Sequence, residues 1–196
     1  MQLGTESHDI YFHLRILMGV ILGVGLTRML AGVASFAQHP GHKKLYATHL
    51  IWVAVVLVSA IHFWWVEYGL VRIHPWHFEL FVFVLFYAFL FYLMATLLIP
   101  DNIHEYQNYE DYFLSRRRWF FGLLAMTVPV DLIDTMAKGT AYLHSLGSEY
   151  WFRLGILLAV CAVGAWTRDR RVQLALAVLY LLYLLSWILR LYRVLE

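Results

Sequence analysis

The chain of 196 residues contains one cysteine, four prolines and few charges. The lone Cys161 has no partner for an internal disulfide and cannot supply the several thiolates of a CxxC zinc site or an iron–sulfur cluster. It lies in an apolar run and reads as a small buried hydrophobe. Charged residues make up only 14%, against about 25% in an ordinary soluble domain. The net charge of +2 provides no basic field suited to nucleic acid. Signature strings of catalysis are also missing: no G-x-S-x-G, P-loop, H-E-x-x-H or G-x-G-x-x-G occurs. The loosely glycine-rich GVGLTR sits inside a lipid-length apolar run and is not a nucleotide site. With no visible nucleophile–base pair, neither an enzyme nor a cofactor is expected. Period-2 alternation is absent, which argues against a β-barrel.

What is abundant is apolar surface: 62% hydrophobic and 17% aromatic residues, with a mean hydropathy of +0.65. One globular core cannot hide that much, so part of the solvent must be lipid. Runs of about 20 apolar residues predict six helices, at about 12–36, 46–70, 78–99, 119–137, 150–166 and 172–194. The expected fold is all-α, a polytopic six-transmembrane-helix bundle forming a single domain over 1–196. Pro40, Pro75 and Pro100 fall in the breaks, where a missing N–H does no harm. The opening MQLGTESHDIYFHLR lacks a positive n-region and carries Glu6 and Asp9, so the first run is expected to be a retained span rather than a cleaved signal peptide. RILMG (15–19) and RWFFG (118–122) share an Arg-x-x-x-Gly spacing, which suggests a 3+3 inverted repeat of the kind found in secondary transporters.

Basic residues are unevenly placed. Lys43, Lys44, Arg116, Arg117, Arg118, Arg168, Arg170 and Arg171 flank the first, third and fifth connections, whereas the other side holds Arg72, Lys138 and Arg153, with Arg190 and Arg193 near the end. The positive-inside rule then puts the odd-numbered connections in the cytoplasm and both termini outside, in a bacterial inner membrane.

Several polar residues lie where lipid would not tolerate them. In the first span, Gly19, Gly23, Thr27 and Ala31 form a small-residue stripe suited to helix packing or self-association. Arg28 lies beside it, with Gly25 and Gly32 expected to leave space around its guanidinium. Its expected partner is Asp131 of the fourth span, where Thr127, Asp131, Asp134, Thr135 and Lys138 share a face around Pro129. That proline tends to free the Ala125 carbonyl, and freed backbone beside acids marks ion or substrate sites at membrane depth. In SAIHFWWVEY (59–68), Trp64, Trp65 and Tyr68 read as an interfacial aromatic belt, while His62 is deep enough to act as a pH-sensing group. Glu67 projects about 140° from His62 on a regular helix, so the stretch does not aim all its polar groups at one point. Glu67, Glu79, His74 and His77, on the outer side, offer a proton or cation vestibule as an alternative. The ten histidines do not predict a metal site: His39–His42 and His74–His77 offer two ligands each and no more. Arg116, Arg117 and Arg118 read as a cytoplasmic collar against anionic headgroups or a partner membrane protein.

These features predict an ion channel or transporter for protons or monovalent cations, acting as a homo-oligomer. Asp131 would bind the ion, Asp134 relay it, Arg28 act as counter-charge, and Thr127 coordinate. The alternative is a non-transporting scaffold or accessory subunit, in which Arg28–Asp131 merely pins the bundle.

Overall fold

A computed structural model describes residues 2–38, 46–73 and 75–192. The helices are α1 (Gln2–Gln38), α2 (Ala47–Val66), α3 (Phe78–Leu98), α4 (Tyr109–Ala137), the short α5 (Thr140–Ser145), α6 (Gly147–Trp166) and α7 (Arg170–Tyr192), with short 3-10 turns at Glu67–Arg72 and Ile103–Glu105. No strand occurs among the described residues. Six of the helices are long and apolar enough to cross a membrane, so the chain is an all-α integral membrane protein. The 21 residues of α3, at 1.5 Å each, span about 31 Å, close to the hydrocarbon thickness of a bilayer. His39, His42 and His74 lie outside the described residues.

Caps explain where the helices differ from the apolar runs. The Asn108 side chain accepts from the Asp111 backbone N–H at 2.9 Å, and Glu110 and Asp111 occupy the first turn of α4, where carboxylates complement the helix dipole. Helix α4 therefore starts about ten residues before the apolar run at Trp119, and the arginine-rich segment ahead of it is helical. At α7, Asp169 accepts from the backbone N–H groups of Arg171 and Val172 at 2.7 and 3.2 Å. Gly139, with φ +104°, follows the last turn of α4 in a conformation that suits glycine, which turns the chain into α5.

Five helices close a ring in the order α2–α3–α4–α6–α7, and α1 packs outside it on α3 and α2. The close approach of α1 relies on two glycines. A Cβ at Gly25 would contact the Tyr92 backbone and Ala95, and one at Gly32 would collide with Ile99. These glycines thus accommodate α3, not the Arg28 guanidinium. The stripe of Gly19, Gly23, Thr27 and Ala31 does not face the bundle: a Cβ at Gly19 or Gly23 would meet nothing within 4 Å, and Thr27 and Ala31 are exposed. Nor are the two halves packed alike, since α1 pairs chiefly with the third span and α4 with the fifth. The Arg-x-x-x-Gly echo therefore has no counterpart in equivalent packing.

Inside the ring, the half nearer Arg116, Arg118 and Arg168 is filled by aromatics. The fully buried Trp52 of α2 meets Phe120 and Phe121 of α4 at 5.3 and 5.1 Å and Tyr180 of α7 at 6.0 Å between ring centroids. Phe121 lies over Gly164 of α6, where any Cβ would strike its ring. Side chains from three helices, packed against Gly164 of a fourth, thus form a plug across the ring.

Candidate functional site

Polar residues gather in the other half of the ring, around a chamber of about 70 Å³, room for about two waters at ~30 Å³ each. All five ring helices contribute to its wall, including His62 of α2, Tyr87 of α3, Asp131 of α4, Arg153 of α6 and Tyr180 of α7, and Tyr142 of α5 borders it as well.

Two ion-pair groups of different balance occupy the wall. In the first, Arg153 donates to Asp131 at 2.5 Å. Tyr150 and Tyr87 also donate to Asp131, at 3.0 and 3.3 Å. With its one hydroxyl proton given to Asp131, Tyr150 accepts from the Thr135 hydroxyl, 3.2 Å away. The Arg153 guanidinium also lies over the Tyr150 and Trp187 rings, at 5.2 and 5.6 Å, a favourable place for a cation. One positive and one negative charge, with phenol donors around the carboxylate, are matched in number, although Arg153 Nε is buried without an acceptor.

The second group is not balanced. Lys138 donates to Glu67 at 2.8 Å and to Asp134 at 2.5 Å, and all three side chains are at most 4% exposed. Two carboxyl groups therefore share one ammonium. They also lie within hydrogen-bond reach of each other, yet Glu67 Oε2 and Asp134 Oδ1 have no donor. Burial works against the Lys138 charge, but Glu67 and Asp134 outweigh it and raise its pKa above the ordinary lysine value. The lysine thus stays charged, and any variable proton belongs to the carboxyl pair. A carboxyl–carboxylate hydrogen bond needs one proton between two acids, and that proton would make the group neutral.

The structure brings together Thr127, Asp131, Asp134 and His62 on this chamber. Thr127 spends its hydroxyl proton on the Leu124 carbonyl at 2.6 Å, and His62 lies within electrostatic reach of Arg153 and Asp131. Arg28 is not part of the site. It pairs with Asp101 at 2.6 Å and donates to the Ile99 carbonyl at 2.8 Å, at the opposite end of the bundle, so the expected Arg28–Asp131 pair does not form. The arginine collar is also divided. Arg117 is buried, donating to the Leu114 carbonyl at 2.6 Å, and Arg116 donates to the Tyr106 hydroxyl at 2.8 Å, while Arg118 is exposed.

Arg153 and the tyrosines are the site residues that spacing does not reveal, whereas Lys138 lies on the expected face of α4 beside Asp134, and only its pairing with Glu67 does not follow from spacing. The projection of Glu67 away from His62 assumed one regular helix. The chain instead leaves the α pitch after Val66, and Glu67 turns inward to Lys138. A glutamate within a lipid-length run was itself the signal. Among the described residues no group of three or more His, Cys, Asp or Glu side chains is placed to hold a metal ion. Comparison with protein-family models, curated proteins and solved structures finds no match to this chain.

Proposed function

We propose that the protein carries protons across the membrane, alone or in exchange for a monovalent cation, with the Glu67–Asp134 pair as the proton-holding site. The observation that supports this is the imbalance of that pair: two buried carboxyl groups, one ammonium, and an oxygen on each acid without a donor. A group built only for stability would have its charges matched, as Asp131 and Arg153 do. The proton-holding role thus belongs to Glu67 and Asp134 rather than to Asp131, the carboxylate expected to bind the ion. Asp131 holds Arg153 in place, and His62 is the neighbouring group suited to pass a proton deeper into the ring.

The aromatic plug favours a carrier over an open channel, because Trp52, Phe120 and Phe121 stand packed between the chamber and the arginine-rich end. One chain encloses the chamber, so the path needs no second copy. The scaffold reading has less support, since Arg117 of the expected collar is turned inside. The same contacts lend support to the proposed orientation. Lys138 and Arg153 are internal counter-ions, and Arg190 forms a bidentate pair with Glu149 at 2.5 and 3.0 Å. With these removed from the tally of loop charges, the basic excess lies on one side. That favours an inner-membrane protein with its termini and the Glu67 end facing out.

The test is proton flux into liposomes holding purified protein and a trapped pH indicator, driven by a potassium diffusion potential. Wild type is expected to acidify the lumen, and Glu67→Gln, which leaves Lys138 with one acid, to match protein-free vesicles. Silent wild type in correctly folded form, or unchanged flux in Glu67→Gln, overturns the reading.

A further inference from the structure

At the arginine-rich end, outside the ring, α1, α3, α4 and the α3–α4 connection border a groove of about 500 Å³ whose wall includes Arg28, Asp101, Glu105, Arg116 and Trp119. A second groove, of about 550 Å³, runs along α1 past Gly19 and Gly23 to Tyr92, and Arg28 belongs to both. The two thus lie on either side of Arg28, which lines both. From Arg28 to Gly19 is nine residues, about 14 Å into the membrane at 1.5 Å each, close to half of a ~30 Å hydrocarbon core.

From this shape and its charges we infer that the two grooves hold one phospholipid with a primary amine in its headgroup, of the phosphatidylethanolamine type. The headgroup end has two guanidiniums and two carboxylates. The Arg28 side chain is 26% exposed beside Asp101, and the exposed Arg116 has the neutral Tyr106 hydroxyl as its bonded partner, so both guanidiniums border the groove where a phosphate would lie. Asp101 is 86% exposed on its side chain, and Glu105 is also exposed. Together they present acceptors to an ammonium. An anionic headgroup would bring a charge to a mouth that is already balanced, and a quaternary amine cannot donate hydrogen bonds to the acids. Acyl chains take the apolar paths. One lies on the small-residue stripe of α1, where no side chain fills the surface, and the other along Leu93, Leu97 and Leu123 beneath the exposed ring of Trp119. Trp119 marks the headgroup level.

The test is native mass spectrometry of detergent-purified full-length protein with equal amounts of phosphatidylethanolamine, phosphatidylglycerol and phosphatidylcholine of the same acyl composition. A single ethanolamine-lipid adduct is expected in preference to the other two. Arg116→Ala removes a charge-assisted contact and should weaken it about ten-fold. Gly23→Leu fills the tail groove from the outside, where a Cβ meets nothing within 4 Å, and should abolish it without loss of helicity. Equal retention of the three lipids, preference for phosphatidylglycerol, or an adduct indifferent to both substitutions overturns the proposal. So does a dimer that Gly23→Leu dissolves with no lipid bound, because the stripe would then be a subunit face.

Discussion

At the scale of single residues, the chamber separates two kinds of buried acid. Asp131 has a full set of donors, whereas Glu67 and Asp134 divide one. Replacement should therefore have opposite signatures. Asp131→Asn strands the Arg153 guanidinium among phenols, and losing one partner of a buried pair costs about 3–5 kcal/mol. The expected result is a large fall in thermal stability in detergent, with lost function as a by-product. Glu67→Gln leaves Lys138 matched one-to-one with Asp134, so the melting temperature should hold while proton flux is lost. Similar melting temperatures for the two variants would contradict this division. Polar residues in lipid-length runs were visible in the sequence, and Asp131, Asp134, Thr127 and His62 were found that way. Their partners were not. Arg153 sits near a loop end and reads as a topology charge, the reach of Lys138 across to Glu67 is not local to α4, and nothing local to Arg28 says that Asp101, at the foot of α3, reaches it first.

At the scale of elements, close contacts were harder to read than spans. Lipid enforces helix length, so the six apolar runs survive as helices. The extra turns of α4 depend on capping by Asn108, which hydropathy does not weigh. Glycines show the same limit. Gly19 and Gly23, which look like a packing motif, face outward, whereas Gly25, Gly32 and Gly164 receive neighbours. Gly164→Ala should drive the Phe121 ring into Trp52 and Phe120 and destabilise the protein by about 1–3 kcal/mol through overpacking. Gly19→Ala and Gly122→Ala, where a Cβ meets nothing within 4 Å, should stay within about 0.5 kcal/mol of wild type. Chemical unfolding in one detergent compares the three, and equal behaviour would mean that Phe121 does not lie over Gly164 as described.

At the scale of the whole molecule, the ring and its outrigger α1 were not legible, because amphipathic patterning is weak when both core and surroundings are apolar. Which helix neighbours which then depends on a few small residues and ion pairs. Sidedness can be measured directly. Cys161 is buried, at 3% exposure, so the native background for thiol labelling in intact cells is low. Ser145→Cys, in α5, is expected to react with a membrane-impermeant maleimide from outside, and His104→Cys, between α3 and α4, only after lysis. The reverse pattern would invert the proposed orientation. The Asp131–Arg153 pair also bears on synthesis. The acid precedes its base by 22 positions in the chain, so α4 emerges from the ribosome carrying charges that α6 has not yet arrived to neutralise. At about 2.5–3.5 kcal/mol for each unpaired charge near a span's centre, release of α4 alone into lipid is disfavoured. The fourth and fifth spans should therefore leave the translocon together, as a preassembled hairpin.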